Sequence, residues 1–537
     1  MSGGAETAPP GQASLDQRLL LQDAVDRVIA NPSAAEGWIT LVARTREVAQ
    51  HGKVEGLAAL LQQRVPASGV AGFSRQCFLG WLTGDLRHRE QAGQVLLDLT
   101  PFDPDRACAF LHSMWQHGLQ AATHRGVFER SLQAAQLPRI ADVLGRQLAR
   151  QLSLPGPVGS AGAVRKVALV APALTSLQHP PTRMALDQAW VLARAGLVVE
   201  LFSCQESSSA AFGALLAGTV RMDAQPVDTA GWADHVGAPV RLHQSDPRFS
   251  VHSRLRDMLP RVLASRPDAV LCVGLITGLA QALFERLPVV GLATNSVQPM
   301  LPCDVWLSAA AQPPAAPWDL SLPPSQAWHH PFRTRRRMAM GKHSRPSLGL
   351  PEQAVVLVTL SNPHYLAHLD ADWVGRLAAL MREHRQLVWL VAGGDAELAP
   401  ALASIDSAQL RRLTVTDDAI SLLQLSDLYL NPPQSGGGFS VAEAMAEGLP
   451  VLALAHSDGG DKLGDAAVPD IEAYFGLLRE LLQSAEARRA LGQRLRQRFD
   501  QQIDLAQSGP SLIGALALAR SRFEQRQPAV DRKRASP

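Results

Sequence analysis

Between Leu428 and Leu454 the chain reads LYLNPPQSGGGFSVAEAMAEGLPVLAL. A short apolar run enters a loop holding Gly436, Gly437 and Gly438. A run of helix formers carrying Glu443 follows, and it stops at Gly448-Leu-Pro. Glycines placed before a helix N-terminus let backbone N–H groups close on an anion, where the helix dipole also favours negative charge. A pyrophosphate is the natural occupant. Ser440, in the first turn, brings a hydroxyl donor, and Glu443, one turn on, is placed to accept hydrogen bonds from a ribose diol. The turn taken alone is explained as well by a tight strand–helix connection with Glu443 facing solvent, because such turns are common in α/β proteins.

The elements that would have to position this loop come from the rest of the chain. Its 537 residues exceed what one hydrophobic core covers, and imply roughly three domains of about 150–200 residues each. Hydrophobic residues make up 46% and charged residues 19%, the balance of a globular protein rather than a disordered or fibrous one. The net charge of +2 gives no nucleic-acid footprint. Cys77, Cys108, Cys204, Cys272 and Cys303 are scattered with no CxxC pair, so neither a zinc site nor a disulfide framework is expected, and a reducing cytoplasm fits. No basic segment followed by an apolar stretch opens the sequence and no long uninterrupted apolar run occurs later, so neither secretion nor membrane spanning is expected.

Residues 1–14 read as a disordered lead and 526–537 as a solvated polar tail. From 15 to 152 apolar residues recur at i, i+3, i+4 and i+7, predicting an all-helical domain. Trp38, Trp81 and Trp115 recur near helix starts, and NPSAAEGWITLVA looks like the opening of a tetratricopeptide-type helix pair, with a plain bundle the equal alternative and the tryptophans read as core. The linker SLPGPVGSAGAV marks a boundary. Beyond it the period changes: RKVALVAPAL, VVELFS, PDAVLCVGL and PVVGLAT are strands between helices, predicting a doubly wound Rossmann-like domain over 163–312. A Pro-rich stretch, 313–350, reads as a linker. A second alternating block, 351–525, carries AVVLVTL, LVWLVAG, LRRLTVT, LSDLYLN and GLPVLAL as strands. Two such domains enclose a cleft, and open α/β sheets bind ligands at the carboxyl ends of their strands.

The string from Leu425 to Asp465, with GGGFSVAEAMAEGLPVLAL at its centre, resembles the nucleotide-sugar motif of the GT-B glycosyltransferases: a Gly-rich loop, EAMA or EALA, then G-x-P-V-V. The double-Rossmann pattern extends the likeness loosely over residues 163–525. The resemblance implies the GT-B fold, ribose binding at Glu443, and a diphosphate held by backbone amides at Gly437, Gly438 and Ser440. Many retaining members carry a glutamate at the position of Ser435. The NP-plus-three-glycine loop is more similar to the O-GlcNAc transferase and bacterial cytoplasmic N-glycosyltransferase group, which is inverting and commonly carries a helical N-terminal domain.

Other residues complete the expected site. His179 and Arg183 lie in a loop after the first Rossmann strand, facing the cleft. His179 is a candidate general base for the acceptor, or a helix-entry histidine bonded to backbone, and Arg183 is an acceptor or phosphate candidate. Ser361, Asn362 and His364 occupy the loop after the first strand of the second domain, where the resemblance implies donor phosphates; that loop has no Lys or Arg. Arg333, Arg335, Arg336 and Arg337 lie nearby in sequence, as a phosphate clamp, with Arg333 the leading candidate, or as a solvated face. Asp417 and Asp418 read as an N-cap and a first-turn acid rather than a catalytic pair. The resemblance implies nucleobase contacts around Thr416. Asp458 or the backbone beside it touches sugar or diphosphate, or forms a surface turn.

These readings converge on a cytoplasmic glycosyltransferase that moves a sugar from a nucleotide diphosphate donor, UDP-linked, to a protein or glycan acceptor. The nucleotide sugar would be a co-substrate, with no bound cofactor, no metal ion and no nucleic-acid partner. The alternatives are a non-catalytic binding protein with the same fold and a UDP-sugar epimerase.

Overall fold

The computed structural model describes residues 14–49, 56–121, 125–152, 162–206, 227–246, 248–294, 297–311, 326–361, 366, 369–393, 400–413, 416, 418–434 and 436–527. Asn362, His364, Asp417 and Ser435 lie outside them. Helices α1 (Leu15–Ala30), α2 (Ala35–Ala49), α3 (Leu57–Arg64), α4 (Gly69–Thr83), α5 (Leu86–Leu97), α6 (Pro104–Ala121), α7 (Arg125–Ala134) and α8 (Leu137–Gln151) open the chain. Their starts carry local signals. Ser14 and Gln17 form a capping box on α1, and Asp85 caps α5 through the Arg87 amide, each satisfying an otherwise orphaned first-turn N–H. Trp38 is fully buried, its ring 5.7 Å from that of Phe78, and its indole N–H donates to the Pro32 carbonyl at 2.9 Å.

Seven parallel strands follow: β1 (Lys166–Ala171), β2 (Val198–Ser203), β3 (Arg241–Gln244), β4 (Ala269–Val273), β5 (Val289–Leu292), β6 (Val305–Ser308) and β7 (Gln326–His329), in the order β3-β2-β1-β4-β5-β6-β7. A second sheet holds β8 (Val355–Leu360), β9 (Leu387–Ala392), β10 (Leu410–Leu413), β11 (Leu428–Leu430) and β12 (Val451–Leu452), in the order β10-β9-β8-β11-β12. The second sheet contains the five strands its apolar runs predict. The first has three more than its apolar runs reveal. Strand β3 reads RLHQ and β7 reads QAWH; both are edges, and an edge strand needs no continuous apolar run because one side is not buried in the sheet. Strand β7 also lies inside the stretch read as linker, so the first sheet continues past residue 312.

The helical region is not separate from the first sheet. Phe110, Leu144 and Leu148 of α6 and α8 share one apolar cluster with Ala168 and Val170 of β1, Phe202 of β2, and Leu255 and Met258 of the helix Val251–Ala264. Each fully buried Val, Leu, Phe or Met of this set contributes about 1.5–3 kcal/mol, so the helices act as the cover of one sheet face. The opposite face is covered by α9 (Pro180–Arg194) and by the chain's last helix, Gly509–Arg526, whose Leu512, Ala515, Leu516 and Ala519 lie in the same cluster as Val167, Leu169 and Leu271. That last helix follows the second domain in sequence yet packs on the first. Its Ser511 hydroxyl accepts from the Trp328 indole at 3.0 Å, and Arg526 reaches buried Asp304 at 2.7 Å.

A second tie runs the other way. The segment from Arg333 to His343 leaves β7 and crosses to the second domain, where Asp418 anchors it. Asp418 caps the helix Ala419–Gln424 and accepts from the backbone N–H of Met340 at 3.0 Å and of Lys342 at 2.8 Å, besides the Ser421 hydroxyl. Burial alone would raise this carboxyl, but the hydrogen bonds from Met340, Ser421 and Lys342 outweigh it and hold it at about 2.

Because the folded state binds this proton less readily than the unfolded chain, Asp418 stabilises the protein above the ordinary carboxylate range, and that contribution fades as pH falls through the folded value. An Asp418→Asn protein should therefore melt at lower temperature near neutrality, by the equivalent of about 2–4 kcal/mol. The difference from wild type should shrink between about pH 5 and pH 2, which thermal melts across that range would read directly.

Candidate active site

In both sheets the strand order reverses direction around the first strand, between β1 and β4 and between β8 and β11, and a crevice opens at the carboxyl end of such a switch point. The residues singled out by sequence follow these strands. His179 and Arg183 come after β1, Ser361 directly after β8, and the glycine loop after β11.

The glycine loop leads into the helix Gly438–Ala446, whose N-cap is Gly437 with φ 93° and no side-chain cap. No other residue fits at that N-cap without strain: the backbone is left-handed, and a Cβ there would lie 2.1 Å from Asn431 Oδ1, far inside contact distance. Asn431 is fully buried, accepts from the Gln434 carboxamide at 2.8 Å, and has no partner for its Nδ2 among the described residues. The first-turn amides of this helix thus meet the cleft without the Ser or Asp side-chain cap that starts α1, α5 and the helix Ala419–Gln424. Uncapped first-turn N–H groups are the chemical requirement for an anion site.

Glu443, on the same helix, does not face solvent. It is 4% exposed, and its Oε1 receives two guanidinium groups, Arg183 Nη2 at 3.1 Å and Arg337 Nη1 at 3.1 Å. Arg183 belongs to α9 of the first domain, so this ion pair spans the cleft. Its guanidinium also lies over the ring of Phe439, 5.0 Å from the centroid, above the first turn of the glycine-loop helix. A carboxylate this buried must be paired to be tolerated.

The arginine run is distributed among partners, with Arg336 exposed to solvent. Arg335 bonds Asp187 at 3.0 Å and the His235 carbonyl at 2.7 Å, and Arg336 lies 3.6 Å from Glu447. Arg333 departs from its phosphate-clamp reading. It is buried, and its guanidinium is committed to the backbone carbonyls of His330, Phe332 and Leu307. Burial lowers it to about 10, against the opposing pull of Asp458 and Asp461.

Ser440 also differs from expectation: its hydroxyl bonds the buried Tyr429 hydroxyl, which in turn donates to the Leu360 carbonyl at 3.0 Å. Only its amide remains directed along the helix start. Ser361 stands beside the loop, its hydroxyl 3.5 Å from Gln434 Oε1. Asp458 begins the helix Asp458–Leu463, capped by Ser457, and packs against the loop, its Cβ 3.2 Å from where a Cβ would project from Gly438. Buried Lys462 lies beside the same glycine, its Cε 3.4 Å from that position. Thr416 sits apart from these, its hydroxyl 3.0 Å from His343 Nε2.

His179 is the N-cap of α9, where Pro180 and Pro181 follow and preset the helical φ. It bonds a side chain, not the backbone: Nδ1 lies 2.8 Å from the Thr182 hydroxyl, which itself accepts from the Thr175 amide at 2.9 Å. Burial pushes the imidazole down to about 4, so it is neutral near pH 7.

Sequence reasoning passed over Arg337 as the partner of Glu443, Lys462 beside Gly438, and His343 on Thr416. A basic residue in the short helix after the last strand was a visible signal for Lys462. Nothing local signalled the other two, whose partners lie 73 and 106 positions away.

Comparison with solved structures finds the same architecture. An O-GlcNAc transferase mutant from Thermobaculum terrenum superposes with a TM-score of 0.55 at 13% identity, covering 95% of this chain and 95% of that one. A glycosyltransferase from Rickettsia africae ESF-5 covers 68% of this chain and 100% of that one at 10% identity and a TM-score of 0.48. WaaG, a glycosyltransferase involved in lipopolysaccharide biosynthesis, covers 65% and 99% at 15% identity and 0.40. No protein-family profile and no curated protein matches the sequence. The fold is GT-B, two Rossmann-like parallel sheets facing a cleft. It lies behind an all-helical region, and the first of these superpositions extends over nearly the whole of both chains. Among the described residues no helix is long and apolar enough to cross a membrane.

Gly437→Ala should lower the apparent unfolding free energy by about 2–4 kcal/mol, since it combines a left-handed backbone with a clash onto Asn431. Denaturant titration of the two proteins measures it.

Proposed function

We propose that this protein transfers a sugar from a nucleotide diphosphate donor, UDP-linked, to a protein or glycan acceptor held on the first domain. The observation that carries the reading is the uncapped, glycine-started helix at the β8/β11 switch point, reached across the cleft by Arg183 from the helix that His179 begins. Amides from Gly437 to Ser440 take the diphosphate, with Gly436 giving the loop its close approach. Glu443 takes the ribose, Thr416 lies toward the nucleobase, and Ser361 and Asp458 border the phosphates and sugar. The nucleotide sugar is a co-substrate, and no bound cofactor or metal takes part in this reading.

In the reaction the acceptor atom attacks the anomeric carbon as its proton passes to His179 Nε2. The bond from that carbon to the diphosphate oxygen breaks, and its electron pair stays on the diphosphate. The base role requires the tautomer in which Nδ1–H donates to Thr182, leaving Nε2 as acceptor. Positioning the two substrates and stabilising the departing diphosphate supply most of the acceleration. A base at about 4 is weaker than the optimum near operating pH. That observation favours, as the second reading, a protein that binds the nucleotide without turnover.

Calorimetric titration with UDP, GDP and ADP, followed by a sugar-transfer assay, tests the reading. One nucleotide should bind with micromolar affinity, about −8 kcal/mol; binding by none of them rules the reading out, and binding without transfer or hydrolysis selects the second.

His179→Ala should reduce kcat/KM by about 10²–10⁴-fold while nucleotide affinity stays within about twofold. For the wild type, the acid limb of the kcat/KM profile should lie near 4, the value burial imposes on His179, well below the ordinary histidine range. An acid limb in the ordinary range would remove His179 as the base.

A further inference from the structure

The loop after β8, SNPHYLAH, contains no lysine or arginine, yet a diphosphate brings two negative charges to the glycine turn beside it. Two guanidinium groups are already present there. Arg183 lies over Phe439 in the first turn of the glycine-loop helix, and Arg337 arrives from the connecting segment; both close on the single oxygen Oε1 of Glu443. Arg183 meets Glu443 through Nη2 alone, which leaves its fork geometry unused, since a guanidinium binds phosphate or carboxylate most strongly through paired N–H donors. Arg183 also keeps its Nε buried with no hydrogen-bond partner among the described residues. The donor groups are in place for an anion larger than one carboxylate oxygen.

We propose that Arg183 and Arg337 are the diphosphate-binding pair of this site, and that Glu443 occupies their anion position in the unliganded protein. Diphosphate binding exchanges one set of contacts for another. The two guanidinium groups move from Glu443 Oε1 to the phosphate oxygens over the first turn, and the released carboxylate becomes available to the ribose. Two positive charges then face the two negative charges of the diphosphate. Because Arg183 is fixed on the first domain and Glu443 on the second, the exchange also couples donor binding to the contact between domains. The inference rests on the nucleotide-sugar reading for the identity of the donor, but the anion chemistry is that of any diphosphate.

The test uses the full chain without divalent cations and inorganic pyrophosphate as the probe, measured calorimetrically beside UDP. Glu443→Gln removes the competing charge and keeps the shape, so pyrophosphate should bind at least about tenfold more tightly than to wild type. Arg183→Gln and Arg337→Gln should each weaken it by about tenfold, and the Glu443→Gln gain should vanish when Arg183→Gln is added. A merely structural Glu443 would not tighten pyrophosphate. An unchanged, weaker or undetectable affinity in a folded Glu443→Gln protein overturns the proposal. Should that variant not fold, the two arginine variants decide: pyrophosphate affinity equal to wild type overturns it. If UDP binds and the exchange is absent, the nucleotide-sugar reading stands and the exchange falls. If pyrophosphate behaves as stated and no nucleotide binds, the anion pair stands and the donor assignment falls.

Discussion

A carboxylate withdrawn from water must have positive charge beside it, and in this protein Glu443 draws that charge from two other parts of the chain. Arg183 comes from the first Rossmann domain and Arg337 from the segment that connects the domains. Neither arginine could reach it unless the carboxyl edges of the two sheets faced each other. The rest of the assembly meets that condition. Residues Arg333 to His343 bond first to one domain and then to the other, with Asp418 fixing the far end. The last helix returns to the first sheet after the second is complete, so the chain crosses the cleft twice.

The same arrangement distributes the chemistry. The second domain contributes a helix start with no side-chain cap, the backbone geometry that the proposed diphosphate site requires, and the first contributes a neutral histidine and an arginine. His179 is kept neutral by burial, not by a charged neighbour. A neutral imidazole can accept a proton near pH 7, although weakly at this value. The loop after β8 carries no Lys or Arg, and cations beside the glycine-loop helix include Arg183, Arg337 and Lys462. In the proposed reaction, charge balance around the departing diphosphate therefore depends on the domains being together.

The helical region extends this logic away from the site. It buries one face of the first sheet, and its α6 carries His112 to within 3.6 Å of buried Glu206, which also accepts from the Thr277 hydroxyl and the Gly278 amide at the carboxyl end of that sheet. A core shared across this boundary makes the helices part of the first domain's stability. In the proposed reaction they stand on the side that presents the acceptor.

Much of this was legible in the residues. The period change after Val164, the buried runs of β1, β4, β8 and β9, and the Gly436–Gly438 turn all depend on local spacing, which the chain carries wherever it is placed. Gly437 illustrates why: a left-handed N-cap is a property of three or four consecutive residues. Strands β3 and β7 were not legible, because polar edge strands are held by a neighbour's hydrogen bonds and not by their own apolar period. Nor were the partners of the charged residues. Arg333 and Arg337 stand four apart in one basic run, yet one ends buried against carbonyls and the other on Glu443. The sequence by itself determined two Rossmann-like units and a glycine turn opening a helix, since both arise from short-range periodicity and backbone sterics. Only the tertiary structure decided which cations meet Glu443 and that Ser440 turns to Tyr429, because electrostatic pairing and burial are set by distances between segments far apart along the chain.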